Sequence, residues 1–171
     1  MMSCGTSREV STEDKSRLDQ IINNQFFKIE AQFARPLTTN ALSQIANAGL
    51  LAPGDNATQI NIQGNSSYLK FEGDTVSADL PYFGERQFGG GYDNDTGIKF
   101  EGIPKNLKIE NVEDKNLYII DFDINQDTEN YQITLRLYPN LKALININSS
   151  QRFPIRYDGT IKAINVPEEK E

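Results

Sequence analysis

Residues 117–138 read LYIIDFDINQDTENYQITLRLY, and apolar side chains alternate with polar ones through two runs of this segment. The apolar members are Tyr118, Ile120, Phe122 and Ile124 in the first run and Tyr131, Ile133, Leu135 and Leu137 in the second. Because successive side chains of a strand point to opposite faces, each run predicts a strand with one buried and one wet face. The segment therefore predicts two neighbouring antiparallel strands of a half-exposed sheet.

The same alternation continues on both sides of this segment. It predicts further strands at residues 27–33, 60–62, 68–72, 76–80, 98–102, 107–112, 143–147 and 153–157, with a last segment at 161–166. Connections such as Gly73-Asp74 and Asp158-Gly159 are so short that they join only antiparallel strands. A meander of eight to ten such strands must curl or close to protect its edges. The sequence thus predicts an all-β domain, either a barrel or a strongly curled antiparallel sheet.

One short helix is predicted before the strands. Ser11 or Thr12 can cap it, and acidic residues follow in its first turn. Its apolar residues at helical spacing are Leu18, Ile21 and Ile22. Because the period then changes to two, we expect the helix to end near Asn24, and a helix that continues to Arg35 is the alternative.

The domain boundaries follow from these elements. Residues 1–11 are predicted to form a flexible N-terminal tether, residues 12–166 a single domain and residues 167–171 an acidic C-terminal tail. A chain of 171 residues lies in the range of one domain with one core. Inside the domain, residues 37–66 show no regular period, and we expect them to wrap the sheet or to cover one of its ends.

Composition excludes several classes of function. The net charge of −7 would repel the phosphates of a nucleic acid. The chain has no histidine, so the usual general base and the usual partner of a serine or cysteine nucleophile are absent. A single cysteine allows neither an internal disulfide nor a cysteine-rich metal site, and no apolar run approaches the ~20 residues of a membrane-spanning helix. We therefore expect no cofactor, no metal and no nucleic-acid partner.

The single cysteine suggests a subcellular localisation. Cys4 follows Ser3 and precedes Gly5, which is the arrangement at which a bacterial lipoprotein is cleaved and its cysteine acylated. No basic start and apolar run precede Cys4, so this interpretation requires an export segment lost through a late start assignment. It places the protein in the cell envelope, in the periplasm or at the outer membrane, with a lipid anchor as its only membrane contact. The alternative is a cysteine without a role in a frayed N-terminus.

Several motifs in fixed order resemble one known family. They are Gly73-Asp74-Thr75-Val76, Leu80-Pro81-Tyr82-Phe83-Gly84, Gly97-Ile98-Lys99-Phe100-Glu101-Gly102 and the run from Arg152 through Tyr157 to Gly159. In this order they resemble the uncharacterised bacterial envelope family called domain of unknown function forty-two fifty-one. The resemblance covers most of the chain and implies a small exported lipoprotein with a lipocalin-like fold. It implies no catalytic residues.

A glycine-rich aromatic segment between two predicted strands is the candidate ligand site. Its residues, together with one arginine from later in the chain, are Tyr82, Phe83, Arg86, Phe88, Tyr92 and Arg152. Aromatic side chains at the end of a barrel either stack on a small ligand or plug the end as core, and the plug is favoured. Arg152 and Arg156 alternate with apolar neighbours, so both are expected on the other face of their strand. We favour the exterior, since an interior position would need a carboxylate partner or an anionic ligand.

Two functions from different classes stay open, and a purely structural role of a filled barrel fits the sequence equally well. The first is a non-enzymatic envelope module that binds a small apolar or anionic ligand or a partner protein. The second is a glycan hydrolase that uses Asp121 and Asp123, which lie two apart on one strand face, although a wet sheet face is the simpler explanation. Residues 93–97 supply oxygen ligands in the manner of a calcium loop, but turn chemistry explains them better and no metal site is predicted.

Overall fold

The computed structural model describes residues 10–84 and 97–167. The helices in these residues are α1 (Thr12–Asn24) and α2 (Asn40–Asn47), with a 3-10 helix at Glu113–Lys115. The strands are β1 (Phe26–Pro36), β2 (Ile60–Asn61), β3 (Tyr68–Glu72), β4 (Thr75–Leu80), β5 (Ile98–Gly102), β6 (Lys105–Val112), β7 (Leu117–Gln126), β8 (Glu129–Leu137), β9 (Lys142–Ser149) and β10 (Ile155–Ala163). The predicted all-β class and the short N-terminal helix are confirmed.

All of these strands belong to one antiparallel sheet. Its order is β5-β4-β3-β1-β10-β9-β8-β7-β6, and the short β2 pairs with β1 beside this path. The first strand in the chain therefore lies between β3 and β10, where it joins two meanders of consecutive strands. The predicted meander that curls on itself is confirmed, because the pairing of β1 with β10 joins its first strand to its last, and the described β5 and β6 are the consecutive strands between which it stays open.

The strand order requires the sheet to curl. β5 and β6 are the two edges of the sheet, yet only Ile103 and Pro104 connect them. In a flat sheet, eight spacings of about 4.8 Å would hold the two edges about 38 Å apart. Three Cα–Cα steps from Gly102 to Lys105 span at most about 11 Å. The sheet therefore bends into a half-barrel, which confirms the predicted strongly curled sheet.

Apolar side chains fill the concave side of the half-barrel. The rings of Phe27 and Phe71 stack with centroids 4.9 Å apart, and Phe122 meets Phe71 edge-on at 5.6 Å. The helix α1 adds three buried side chains to the same cluster, namely Leu18, Ile21 and Ile22. One apolar core thus holds the helix against the sheet.

Two hydroxyls stabilise α1, one as its N-cap and one through a hydrogen bond from the sheet. Ser11 caps the helix, since its Oγ accepts a hydrogen bond from the backbone N–H of Asp14 at 3.1 Å. From β7, the Tyr118 hydroxyl donates to Asp19 Oδ1 at 2.6 Å. Burial, followed by the hydrogen bond to the Asp19 carboxylate, raises the pKa of Tyr118 to about 12. The proton on this hydroxyl therefore stays in place at physiological pH.

The chain leaves α1 where the hydrophobic period changes. The helix ends at Asn24, Gln25 adopts a left-handed conformation with φ of 55°, and β1 begins at Phe26. The predicted end of the helix is confirmed, and the alternative of a helix that continues to Arg35 is wrong.

A second helix, α2, lies in a region for which the sequence predicts none. Thr39 Oγ1 accepts a hydrogen bond from the backbone N–H of Leu42 at 3.2 Å and so caps the helix. The helix has only eight residues, and Leu42 is the one that it buries. Such a short helix with one buried side chain leaves no periodic signal in the sequence, which explains the error.

The turn that the sequence predicts at residues 158–159 is wrong. Asp158 and Gly159 lie inside the continuous strand β10. Gly159 pairs with Ala31 beside a bulge of β1, and a Cβ atom on Gly159 would lie 2.5 Å from the backbone oxygen of Glu30. The glycine is thus explained by the close approach of another strand, a contact that local sequence does not reveal.

Candidate functional site

Two of the predicted ligand-binding residues meet just after β4. The guanidinium carbon of Arg152 lies 5.1 Å from the centroid of the Tyr82 ring. Tyr82 is only 8% exposed, and its hydroxyl donates to the carbonyl of Phe153 at 3.1 Å. Phe83 is partly buried against the apolar core. Tyr82 is thus a core residue, with its ring covered by a cation.

Arg152 forms a buried ion pair with Glu129. Arg152 Nε lies 2.8 Å from Glu129 Oε1, and Nη2 lies 3.2 Å from Oε2. The two side chains are 4% and 7% exposed, and the Ser149 hydroxyl also donates to Glu129. Burial alone would raise the pKa of Glu129, but hydrogen bonds from Arg152, Ser149 and Tyr131 outweigh it and hold that pKa below its ordinary value. We call Tyr82, Glu129, Ser149 and Arg152 the buried polar cluster.

The exterior position predicted for Arg152 is wrong, whereas Arg156 is exposed as predicted. The alternation of side chains breaks between them, because β10 begins only at Ile155 and the preceding Phe153 and Pro154 are not part of a strand. Proline lacks the N–H that a ladder of strand hydrogen bonds requires. The two arginines therefore do not share a face, and Arg152 has the carboxylate partner that an interior position demands.

A second buried hydroxyl stabilises the same region. Tyr157 on β10 is fully buried, and its hydroxyl donates to the carbonyl of Pro81 at 2.7 Å. Burial raises the pKa of Tyr157 well above its ordinary value, so the residue stays neutral. Together with the buried polar cluster, this bond fixes the segment after β4 to β8, β9 and β10. The arrangement is suited to bracing the fold.

The remaining predicted site residues lie outside the described residues. These are Arg86, Phe88 and Tyr92 of the aromatic segment, the proposed lipid attachment residue Cys4, and residues 93–96 of the segment considered as a calcium loop. Within residues 10–84 and 97–167, no three His, Cys, Asp or Glu side chains are placed to hold a metal ion. In the same part of the chain, no helix is both long and apolar enough to cross a membrane.

The two carboxylates of the hydrolase hypothesis lie on the convex face of the sheet. Asp121 accepts a hydrogen bond from the Thr134 hydroxyl at 2.6 Å, and Asp123 accepts one from Asn106 Nδ2 at 2.8 Å. Asp123 borders a shallow groove of about 460 Å³, and Asp121 does not line that groove. The pair therefore does not face a common cleft in which it could flank a glycosidic bond.

A second groove on the convex face contains two arginines. Arg35 of β1 and Arg156 of β10 are directly opposite each other in the strand register. They border a shallow groove of about 500 Å³. We call it the arginine groove, and its polar lining consists of Arg35, Arg156, Thr38, Thr58, Asn146 and Asn148.

The charges in the arginine groove are only partly balanced. Arg35 Nε lies 2.5 Å from Asp158 Oδ2, which neutralises one arginine and fixes its direction. In the described part of the chain, no carboxylate lies within ion-pair distance of Arg156, which is exposed. Arg35 is not among the residues that the sequence predicts for a site, because its proximity to Arg156 depends on the pairing of β1 with β10.

A neighbouring groove shows the contrasting case. It measures about 850 Å³, and Lys28, Glu30, Lys70 and Glu72 line it. Its lysines lie 3.0 Å from glutamates of their own strands, and Lys162 reaches Glu30 at 2.5 Å. The hydrogen bond from Lys162, and then that from Lys28, hold the pKa of Glu30 below its ordinary value. The charges that line this groove therefore neutralise one another, and a charged ligand would be attracted to it less strongly.

Comparisons with other proteins agree with the fold. A family model described as a domain of unknown function, DUF4251, matches residues 9–161. A crystal structure of a DUF4251 family protein from Bacteroides eggerthii DSM 20697 is similar, with a TM-score of 0.58 and 13% sequence identity over 88% of this chain and 88% of that chain. At this identity the likeness shows the fold alone. No curated protein matches the sequence.

Proposed function

This chain belongs to the DUF4251 family, and we propose that it is a non-catalytic cell-envelope module that binds a small anionic ligand in the arginine groove. The observation that carries the proposal is the placement of Arg35 directly opposite Arg156 on the convex face. Residues directly opposite on paired strands have Cβ atoms about 5 Å apart, so both guanidinium groups can reach the same ligand. An oxyanion bound between them would make favourable contacts with both cations, of which only Arg35 has a carboxylate partner among the described residues.

The lining of the groove suits an oxyanion. Arg35 uses Nε for Asp158, and its two Nη groups have no hydrogen-bond partner among the described residues. Arginine binds carboxylate, phosphate and sulfate groups through such paired N–H donors. The hydroxyl of Thr38 and the amide of Asn146 border the same groove and can donate further hydrogen bonds.

The local charge supports the same ligand class. Two arginines and one aspartate give the groove and its border a charge of +1, whereas the whole chain carries −7. A positive site on an acidic surface gives an anion one favourable place to bind. The opposing hydrolase hypothesis has less support, since Asp121 and Asp123 do not border a common groove.

Replacement of Arg156 by glutamine is expected to weaken anion binding about 10- to 100-fold, because a hydrogen bond to a charged group contributes about 1.5–3 kcal/mol. Titration calorimetry with inorganic phosphate and with sulfate, at constant low ionic strength, measures the affinity. Arg136→Gln is the matched control, since Arg136 is an exposed arginine on β8 outside the groove. Equal affinities of the wild type and Arg156→Gln for both anions would refute the proposal.

Localisation in the cell envelope is part of the proposal, and it depends on acylation of Cys4. We expect Cys4 to be acylated when the full gene is expressed in its native host, because the residues around it fit a lipoprotein junction. Metabolic labelling with a fatty acid should mark the wild-type protein and leave Cys4→Ser unlabelled. A wild-type protein of unmodified mass in the soluble fraction would contradict the lipid anchor while leaving the binding proposal intact.

A further inference from the structure

The edge strand β6 is exposed on both of its faces. Seven of its eight residues are exposed, and Leu107 and Ile109 keep 39% and 37% of their surface in water. On one side β6 pairs with β7, and among the described residues no strand pairs with its other side. Its outer backbone N–H and C=O groups are thus available to a further strand.

Only the first half of β6 carries features that protect an edge. Asn106 has a φ of 54°, and the register of β6 with β7 shifts between Lys105 and Lys108. Such a bulge discourages strand addition over the residues that it distorts. From Lys108 to Val112 the pairing with β7 is regular, so this half presents an undistorted edge.

The side chains of this half are complementary to a second copy of themselves. We propose that β6 pairs antiparallel with β6 of another molecule of this chain, about a two-fold axis that passes through Ile109. In this register Lys108 of one protomer lies opposite Glu110 of the other, and the same pair recurs on the far side of the axis. Ile109 lies opposite its own copy, on the concave side where Ile109 already faces Ile120. Both contacts are favourable cross-strand pairs.

Neighbouring registers are disfavoured, either because they place like charges opposite each other or because they pair side chains from opposite faces of the sheet. An axis through Lys108 would place two lysines opposite each other, and an axis through Glu110 would place two glutamates opposite each other. A slip of one residue would bring a convex-face side chain opposite a concave-face one. The register through Ile109 is therefore selected by the sequence of β6 itself. Within one protomer Lys108 lies 3.0 Å from Glu110, and both are more than half exposed, so this surface pair can exchange partners at little cost.

The interface is small, and the dimer is correspondingly weak. Pairing of one short strand buries less than the ~1,600 Å² of a standard protein interface, so we expect a micromolar dimer whose population depends on concentration. The convex-face arginine groove on β1 and β10 lies away from β6, so dimer formation and anion binding are independent.

Charge reversal at the two paired positions tests the proposal. Sedimentation velocity of the wild type, from micromolar to millimolar concentration, should show a monomer–dimer equilibrium. Lys108→Glu should weaken the dimer at least tenfold, since the introduced carboxylate of each protomer then lies opposite Glu110 of the other. Glu110→Lys should do the same, and the double variant Lys108→Glu/Glu110→Lys should restore dimerisation to near the wild-type level.

A matched control is Lys142→Glu, which reverses an exposed charge on β9 away from β6 and should leave the equilibrium unchanged. Circular dichroism should show that all variants fold, because the substituted side chains are exposed. A wild type that is monomeric at every concentration would overturn the proposal. So would a dimer that Lys108→Glu leaves intact, or one that the double variant fails to restore.

Discussion

Replacement of Arg152 by methionine is expected to lower the free energy of unfolding by about 3–5 kcal/mol at neutral pH. Methionine fills much of the same volume but leaves the carboxylate of Glu129, which is 7% exposed, without its charged partner. Ser149 and Tyr131 still donate hydrogen bonds to it, but the methionine side chain supplies no positive charge in place of the guanidinium. Urea denaturation followed by circular dichroism measures the loss.

The loss of unfolding free energy in Arg152→Met should depend on pH through the protonation of Glu129. In the wild type, hydrogen bonds hold the pKa of Glu129 below its unfolded value of about 4.3. The stabilisation is therefore present above that unfolded pKa and is lost as the pH falls through the folded-state pKa. Arg152→Met removes the strongest of the hydrogen bonds that lower the pKa of Glu129 while the burial that raises it remains, so we expect the acid to become neutral at a higher pH. We expect the difference in stability between the wild type and the variant to narrow on acidification.

A matched substitution separates this effect from a general loss of positive charge. Arg136 is exposed on β8, and Arg136→Met should change the free energy of unfolding by less than about 0.5 kcal/mol. A loss below about 1 kcal/mol in Arg152→Met, or a loss that is the same at every pH, would show that the buried ion pair does not brace the fold as described.

The second large effect is expected at Gly159. An alanine Cβ at this position would lie 2.5 Å from the Glu30 backbone oxygen and 3.0 Å from Ile29 Cγ2. The nearest atom belongs to backbone and cannot rotate away, so β1 and β10 must separate where they pair. We expect Gly159→Ala to lower the free energy of unfolding by about 2–3 kcal/mol, as measured by denaturant unfolding.

Gly102 on β5 provides the control for this substitution. A Cβ at Gly102 would lie 3.8 Å from Ile124 Cδ1, which is ordinary van der Waals contact. Gly102→Ala should therefore be neutral or slightly stabilising, because alanine loses less backbone entropy on folding than glycine. Equal stabilities of the two variants would mean that β1 does not approach β10 at Gly159 as closely as the structure indicates.

Elements with a local signal could be predicted from the sequence. The cap at Ser11 and the change of period after Asn24 locate α1, and Gly73-Asp74 forms the predicted two-residue connection between β3 and β4. Alternation alone identifies β7 and β8, because β8 buries one face over its whole length and β7 buries one face from Ile120 to Ile124. In these elements the local pattern and the tertiary environment agree.

The errors arise where contacts distant in sequence determine the structure. The local pattern wrongly predicts a turn at Gly159. The contact that explains this glycine is with Glu30, which is 129 residues away along the chain, so local sequence does not reveal it. The burial of Arg152 depends on Glu129 from another strand and on the break in alternation at Pro154. The arginine groove requires the register of β1 against β10, which no local pattern specifies. The site was therefore harder to predict than the fold class.

Because apolar side chains fill the concave side of the half-barrel, our proposal places anion binding on its convex face. The decisive experiment is amide chemical-shift mapping of the isotopically labelled protein during titration with inorganic phosphate. We expect saturable shifts confined to the arginine groove, around Arg35, Asn146 and Arg156. Saturable shifts centred on concave-side residues such as Leu69, Ile133 and Ile145, with the arginine groove unaffected, would be incompatible with a filled interior and an external site.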